Sequence, residues 1–217
     1  MVFILSIISR IEKCLPLFFK VLIFGECLRI ELAGQSKYRF KAVKLNRIVP
    51  REDSLAILIP DSTPEIIVKY AQTDEQALLA KVRYNRLIDI FLGISAYSLQ
   101  SHMRTTVAGM GQIEIDEIYV GVNKFGTQFV VPVQAKGGND KLGSVQCKQD
   151  IACCHAKFPD ALCRSVAVQF MADGAIAMFE LSLLGDELKV AEERHYRLVS
   201  ADSISSEELA KYRLLER

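Results

Sequence analysis

Four polar side chains on two neighbouring segments have the types needed to hydrolyse a phosphodiester bond. Glu114 and Asp116 stand two residues apart in GQIEIDEIYVGV, and Gln134 and Lys136 stand two residues apart at the end of TQFVVPVQAK. In an extended chain, residues two apart share a face. The short connection NKFG, residues 123–126, is typical of a hairpin, so the two polar faces are expected to meet.

A carboxylate, an amide oxygen and a lysine that meet in one place can bind a hard divalent cation. Asp116 would be the main ligand, and the side-chain oxygen of Gln134 and the backbone carbonyl of Ala135 would complete the oxygen shell that Mg²⁺ prefers. A water on the metal becomes a nucleophile, and Lys136 would orient it and neutralise the phosphate. Glu114 shares the face of Asp116, so either carboxylate or both could be the ligand.

These patterns also have purely structural interpretations. Glutamine and lysine at a strand end often protect a sheet edge from aggregation, and short motifs occur by chance. Glu117 is interpreted as part of a solvated acidic face. His102 and His195 have no partner pattern and are treated as structural or exposed. The tripeptide CCH at 153–155 lacks the spaced pairs of a zinc site.

The elements that must position these residues are predicted from hydrophobic periodicity. The order is a helix, three strands, a second helix and two more strands, which indicates an α/β fold with a mixed sheet. Thr73 and Gln76 resemble a capping box for the first helix, and Asp173-Gly174 is typical of a hairpin turn. The predicted helices are 74–94 and 141–157, and the predicted strands are 96–107, 111–122, 127–136, 163–172 and 175–184.

Asp116 followed by Gln134-Ala-Lys136, within this order of elements, resembles the PD-(D/E)xK nuclease superfamily. The resemblance covers roughly residues 74–181. Ile115 stands where the superfamily has a proline, and Gln134 replaces the second acid, as in some restriction-enzyme subfamilies. The implied fold is a restriction-endonuclease-like core, α-β-β-β-α-β, with a small N-terminal accessory region.

The resemblance implies a Mg²⁺-dependent endonuclease that cleaves DNA, with Mn²⁺ able to substitute, and that leaves 5′-phosphate and 3′-hydroxyl ends. A homodimer is expected because cutting both strands of a duplex needs two active sites. Many members add an acid from the first helix, for which Glu75 and Asp89 are the candidates. The alternative is a nuclease-like nucleic-acid-binding or scaffold protein that has lost catalysis. The implied catalytic residues are Asp116, Gln134, Lys136 and Glu114, and the implied metal ligands are Asp116, Gln134, Ala135 and Glu114.

Composition divides the chain into three predicted regions. Residues 1–62 would be the accessory region, 63–181 the nuclease-like core and 182–217 a charged extension. The first boundary falls in IPDSTPE, where two prolines flank Asp, Ser and Thr. The tail from residue 186 is predicted to be part helix, with Ser205 and Glu208 as its cap.

Positive charge is concentrated near the N-terminus, although the net charge is only +1. Residues 10–51 hold ten Lys and Arg against three Asp and Glu. In KYRFKAVKL, period-two spacing places three basic residues on one face of a predicted strand, where phosphate contacts are expected. The residues predicted to contact nucleic acid are Lys37, Arg39, Lys41, Lys44 and Gln146.

The opening MVFILSIISRIEKCLPLFFKVLIF is apolar but is interrupted by four charged residues. No uninterrupted run reaches the roughly 20 residues that a membrane span needs, so the segment is interpreted as a buried helix or strand, and no membrane association is expected. Six cysteines without a CxxC pair favour reduced thiols, and hence a cytoplasmic protein.

Overall fold

A computed structural model describes residues 26–34, 37–44, 47–71, 75–107, 111–137, 140–185 and 187–215. The chain divides into two compact units, Met1–Asn46 and Arg47–Arg217. In its described part the first unit is an antiparallel hairpin of β1 (Glu26–Gly34) and β2 (Lys37–Lys44). The strand predicted in KYRFKAVKL is therefore confirmed.

Several predictions fall on residues outside this description. The apolar opening segment, residues 1–24, lies outside it, as does the capping threonine Thr73. The backbone of β2 carries four of the predicted nucleic-acid contacts, whose side chains are not described. These four residues are Lys37, Arg39, Lys41 and Lys44.

The second unit is built around one mixed sheet with the strand order β4-β12-β11-β10-β7-β6-β5, and β9 also pairs with β7. The pairs β4–β12, β7–β10 and β7–β9 are parallel, and the other neighbours in this sheet are antiparallel. The predicted α/β class with a mixed sheet is confirmed. In chain order its elements are β3 (Arg47–Ile48), β4 (Ala56–Pro60), α1 (Glu65–Tyr70), α2 (Glu75–Tyr84), α3 (Leu87–Leu92), β5 (Ser95–Val107), β6 (Gly111–Val122), β7 (Gln128–Lys136), β8 (Leu142–Gly143), α4 (Ser144–Lys157), β9 (Leu162–Cys163), β10 (Ser165–Phe170), β11 (Ile176–Leu184), β12 (Glu187–Val199), a 3-10 helix (Ala201–Ser203) and α5 (Ser206–Leu215).

Helices cover both faces of the sheet. Alternate side chains of the central strands point to opposite faces, so apolar residues on both faces need a helix to cover them. On one face Val133 of β7 belongs to the same buried cluster as Leu78 of α2. On the other, Ala167 of β10 clusters with Ile151 of α4. Odd-numbered residues of β7 therefore face α2 and α3, which leaves Gln134 to face α4.

The predicted single helix over 74–94 is wrong, because the chain breaks into α2 and α3 at Asn85-Arg86. Arg86 has a left-handed backbone with φ 50°. Asn85 is a poor helix former because its amide competes for backbone groups. Here its Nδ2 donates to the carbonyl of Lys81 at 2.9 Å and to Thr63 Oγ1 at 2.8 Å, and its Oδ1 accepts from the backbone N–H of Ser62 at 2.7 Å.

The Asn85→Ala variant is expected to unfold more easily by about 2 kcal/mol, because it leaves the Ser62 N–H and the Thr63 hydroxyl without their Asn85 partners. The change should appear as a lower urea midpoint with an unchanged slope. Gln76→Ala, an exposed change on the same helix α2, is the control and should stay within about 0.5 kcal/mol of the wild type. Equal midpoints for the two variants would contradict this role for Asn85.

The charged tail is part helix, as predicted, but it begins with a long strand, β12, that was not predicted. Gly185, at φ 62°, makes the turn that lets β12 fold back on β11 as a long antiparallel hairpin. Its charged residues pair with each other, as in Arg194–Glu192, where nitrogen and oxygen are 3.0 Å apart. The predicted cap is confirmed: the N–H of Glu208 donates to Ser205 Oγ at 3.2 Å at the start of α5.

The compact unit extends beyond the predicted core in both directions. β4 lies within the region 1–62 and β12 within the region 182–217, yet the two strands pair in the main sheet. The predicted helix 141–157 begins at Ser144, because Leu142–Gly143 instead pairs with β3. Among the described residues, no helix combines the length and the apolar character needed to cross a membrane.

Candidate active site

The polar middle of β6 lies next to the polar end of β7, at the point where the pairing of the two strands stops. The last registered pair is Glu117 with Val133. One residue earlier on β6, Oδ2 of Asp116 accepts a hydrogen bond from the backbone N–H of Ala135 at 2.9 Å. This hydrogen bond therefore ties β7 to β6 beyond the last backbone pair. The Asp116 residue is buried, with 9% of its surface exposed.

Lys136 extends from the end of β7 to the start of α2. Its Nζ lies 2.6 Å from Oε1 of Glu75. Of the two candidate acids from the predicted first helix, the structure thus brings Glu75 to the site. Asp89 instead pairs with Arg86 and accepts the N–H of Ala96 at 3.0 Å, which ties α3 to β5.

Gln134 and Asp150 are buried polar side chains on the α4 face of the sheet, with exposed fractions of 2% and 1%. Neither amide atom of Gln134 and neither carboxylate oxygen of Asp150 has a hydrogen-bond partner among the described residues. The Gln134 amide lies close enough to Asp150 to lower the pKa of that carboxyl, but the two side chains make no hydrogen bond of normal geometry. Buried groups without partners are rare and point to a missing ligand or water.

Asp150 is a site residue that the sequence interpretation missed, although the pattern contained a signal. Cys147, Asp150, Ile151 and Cys154 have helical i, i+3, i+4, i+7 spacing, and all four are buried in α4. An acid within an otherwise apolar helical stripe is unexpected, because burying a carboxylate without a partner is costly. That position could have been identified from the periodicity of the predicted helix alone.

Burial disfavours negative charge on both Asp116 and Asp150, and a nearby carboxylate adds repulsion at each. The pKa of Asp150 is raised to about 7, mainly by burial; the nearby Asp116 charge also raises it, and the Gln134 amide opposes the shift. Burial also raises the pKa of Asp116, against the opposing effects of the Ala135 N–H and of Lys136. A cation bound between these groups would remove the penalty on both of them.

Lys136 stays charged in spite of its partial burial. Burial alone would lower its pKa, but the hydrogen bond and charge attraction of Glu75 outweigh that effect and raise it. The neighbouring Cys147 stays a thiol, since burial and the Asp150 charge raise its pKa to about 12. Lys136 is therefore the positive group of the site, and Cys147 is not a nucleophile in it.

Glu114 and Gln146 lie at the margin of this cluster. Glu114 is partly exposed, with its Oε2 at 3.1 Å from Nε of Arg104 and its Oε1 at 3.4 Å from Nδ1 of His102. Gln146 is half-buried on α4, one helical turn before Asp150. Neither residue joins the buried group formed around Asp116.

The prediction that Glu117 belongs to a solvated acidic face is wrong. Glu117 is fully buried, and its Oε1 accepts from Nε of Arg83 at 2.8 Å and from Oγ of Ser98 at 2.6 Å. Alternation sends this side chain to the α2 face, where Arg83 neutralises it. His195 is buried beside Glu193, with Nε2 and Oε1 2.8 Å apart, in agreement with a structural role.

The donor atoms of the site fit a hard cation by their chemistry. Asp116, Asp150 and the side-chain oxygen of Gln134 are oxygen donors, and two of these side chains have no partner for their buried oxygens. Oxygen-only sets of this kind suit Mg²⁺. Within the described ranges, however, no three His, Cys, Asp or Glu side chains converge closely enough to form a metal cage by themselves. A cation here would need the amide oxygen of Gln134 or backbone carbonyls as well.

Comparisons of this chain with protein-family models, with curated proteins and with solved structures find no match.

Proposed function

We propose that this chain is a Mg²⁺-dependent endonuclease that hydrolyses DNA phosphodiester bonds and has a restriction-endonuclease-like core of the PD-(D/E)xK type. One observation carries the proposal. The carboxylate of Asp116 accepts a hydrogen bond from the Ala135 N–H. The residues on either side of Ala135 are Gln134, whose amide has no partner among the described residues, and Lys136. A carboxylate, an amide oxygen and an ammonium are thus placed together without forming ion pairs that would fully satisfy one another.

The roles follow from the chemistry of each group. Asp116, the side-chain oxygen of Gln134 and the carbonyl of Ala135 would hold the cation, with Asp150 contributing charge from α4 and Glu114 as a further candidate ligand at the rim. When bound, Mg²⁺, or Mn²⁺ in its place, supplies an activated water and stabilises the negative charge of the phosphate. The buried setting strengthens these electrostatic interactions because it excludes bulk water.

Lys136 would act on the phosphate and on the attacking water. Its side chain is 21% exposed, so a ligand at the site can reach it, and Glu75 keeps it positioned and protonated. A fixed positive charge next to the scissile phosphate stabilises the charge that develops in the transition state. Glu75 would act through Lys136 and fix the position of the ammonium.

The arrangement of elements also supports the proposed fold. Helix α3, strands β5, β6 and β7, helix α4 and strand β10 follow one another in the order α-β-β-β-α-β, with only the two-residue strands β8 and β9 added. β7 and β10 are parallel neighbours, and α4 lies between them in sequence. The site lies at the carboxyl end of β7, which is where open α/β sheets bind ligands.

DNA as the partner and a homodimer as the working form belong to the same proposal. The basic residues of β2 and Gln146 are its proposed backbone contacts. Two copies would supply the two sites that a double-strand cut requires. Sedimentation of the purified chain with and without a DNA duplex would determine the stoichiometry.

The proposal is tested by incubating the purified protein with supercoiled plasmid and with branched DNA, in Mg²⁺, in Mn²⁺ and in EDTA. Nicking or linearisation that EDTA abolishes is the expected result. DNA binding without cleavage in either metal would favour the alternative, an inactive nucleic-acid-binding protein. That alternative has one observation in its favour, since no three acidic, His or Cys side chains of the described residues form a metal cage. Absence of both binding and cleavage would overturn both functions.

The Lys136→Ala variant is expected to cleave about a hundredfold more slowly than the wild type, because the transition state loses its fixed positive charge. Lys157→Ala, which changes an exposed lysine at the far end of α4, is the matched control and should cleave like the wild type. Initial nicking rates at saturating Mg²⁺ measure both effects. A Lys136→Ala rate equal to that of Lys157→Ala would remove Lys136 from the proposed mechanism.

A further inference from the structure

His102 has a backbone conformation that its position in a strand does not explain. Its φ is 50°, in the left-handed region, although it lies in the middle of β5. Among the described non-glycine residues only Arg86 shares a positive φ, and Arg86 stands at the break between two helices. Non-glycine residues rarely adopt this conformation inside a strand, and when they do they cluster at functional sites.

The strained residue stands at the level of Asp116 in the neighbouring strand. Ser101 pairs with Glu117 and Met103 pairs with Ile115, so His102 and Asp116 are the residues between these two pairs. On its other side, Asp116 lies just beyond the last registered pair of β6 and β7. His102 therefore stands opposite Asp116 in an unbroken register, since the register shift of β5 lies further along the strand, between Ser98 and Gln100.

The ion pair with Glu114 does not account for the strain. Arg104 already contacts both carboxylate oxygens of Glu114, at 3.1 and 3.2 Å, whereas Nδ1 of His102 lies at 3.4 Å. The His102 side chain is 51% exposed, so it contributes little to the core. A surface ion pair that another residue duplicates stabilises a fold only slightly. An exposed ring beside a buried carboxylate is instead well placed to meet a ligand.

We propose that His102 contacts the substrate of the proposed nuclease: a ring N–H binds a phosphate oxygen of the DNA backbone next to the scissile bond. The inference rests on the proposed function and adds a specific substrate contact to it. Opposite residues of an antiparallel pair share a face of the sheet, so His102 lies on the face of Asp116, and its Nδ1 is 3.4 Å from Oε1 of Glu114, two residues before Asp116. Phosphate oxygens are the usual partners of side-chain donors that position a nucleic acid without reading its sequence.

Two substitutions separate the contact from the backbone strain. His102→Gly and His102→Asn both accept a positive φ more readily than histidine, but only asparagine keeps an N–H donor. Both variants are expected to melt at the wild-type temperature or about 2–4 °C above it. His102→Gly should bind a short DNA duplex in EDTA, and cleave it in Mg²⁺, about tenfold less well, whereas His102→Asn should stay within about threefold of the wild type.

Gln100→Gly is the control for introducing a flexible glycine, because Gln100 is exposed on the same strand and has no positive φ. It should lower the melting temperature and leave DNA binding unchanged. If the wild type cleaves and His102→Gly binds and cleaves equally well, the His102 contact is overturned while the proposed function stands. If the wild type binds without cleaving, the proposed function fails, but weaker binding by His102→Gly alone still supports the contact. Absence of wild-type binding overturns both.

Discussion

The Asp116→Asn variant is expected to lose metal-dependent DNA cleavage by about a thousandfold or more, because charge stabilisation by a bound cation contributes several kcal/mol to such reactions. The fold should survive the change. The asparagine oxygen can still accept the hydrogen bond that the Ala135 N–H now donates to Oδ2 at 2.9 Å. What disappears is the negative charge, and with it the main anchor for a divalent cation.

The measurement is kcat/KM for plasmid nicking at a fixed Mg²⁺ concentration, together with the melting temperature of each variant. Asp160→Asn is the control, since Asp160 is an exposed residue in the turn after α4. It makes the same chemical change away from the site and should cleave at the wild-type rate. Asp116→Ala should in addition destabilise the chain by about 1–3 kcal/mol, because the Ala135 N–H then loses its acceptor. Cleavage by Asp116→Asn within tenfold of the wild type would exclude Asp116 as the principal ligand.

The second large effect is a gain in stability, whereas the first is a loss of activity. The Asp150→Asn variant is expected to be more stable than the wild type above pH 7 by up to about 4 kcal/mol, at about 1.4 kcal/mol for each pKa unit. The pKa of Asp150 is raised from 3.8 to about 7 in the folded chain. Between these values the folded state holds a proton that the unfolded state releases, so stability falls as the pH rises through this window and levels off above it.

Urea unfolding of the metal-free protein at intervals from pH 4 to pH 9 measures this difference. The wild-type midpoint should fall towards pH 7, whereas that of Asp150→Asn should fall less. Lys157→Ala, an exposed change, should follow the wild-type curve. Parallel curves for Asp150→Asn and the wild type would show that Asp150 does not titrate in this window. The same variant is expected to cleave DNA more slowly, since proteins commonly keep destabilising groups where function requires them.

The elements that carry the site were largely predictable because their periodicity is strong. Gly111–Val122 forms a strand with the predicted boundaries, and the hairpin through residues 123–126 brings Asp116 next to Ala135. The break at Asn85-Arg86 was not predictable from periodicity. It depends on Asn85 binding Ser62 and Thr63, which are distant in sequence.

Burial of the charged residues was the harder part of the prediction. Alternation correctly placed Glu117 on the face opposite to Asp116, but not the fact that Arg83 covers it. Alternation along β6 also could not identify Asp150, which comes from a helix that packs against the sheet through tertiary contacts. The choice between Glu75 and Asp89 depended likewise on packing, since it is decided by which end of the α2–α3 pair lies above Lys136.

The parallel pairing of β4 with β12 has a consequence for the synthesis of the chain. Residues 56–60 leave the ribosome well before their partners in the sheet, residues 195–199. Until β12 has been made, the apolar segment AILIP has no neighbouring strand, and an unpaired apolar strand edge is prone to aggregation. Closure of so long a loop also makes this pairing intrinsically slow. Expression of the chain is therefore expected to depend on chaperones that shield β4 during translation, and truncation between β11 and β12 should yield insoluble protein.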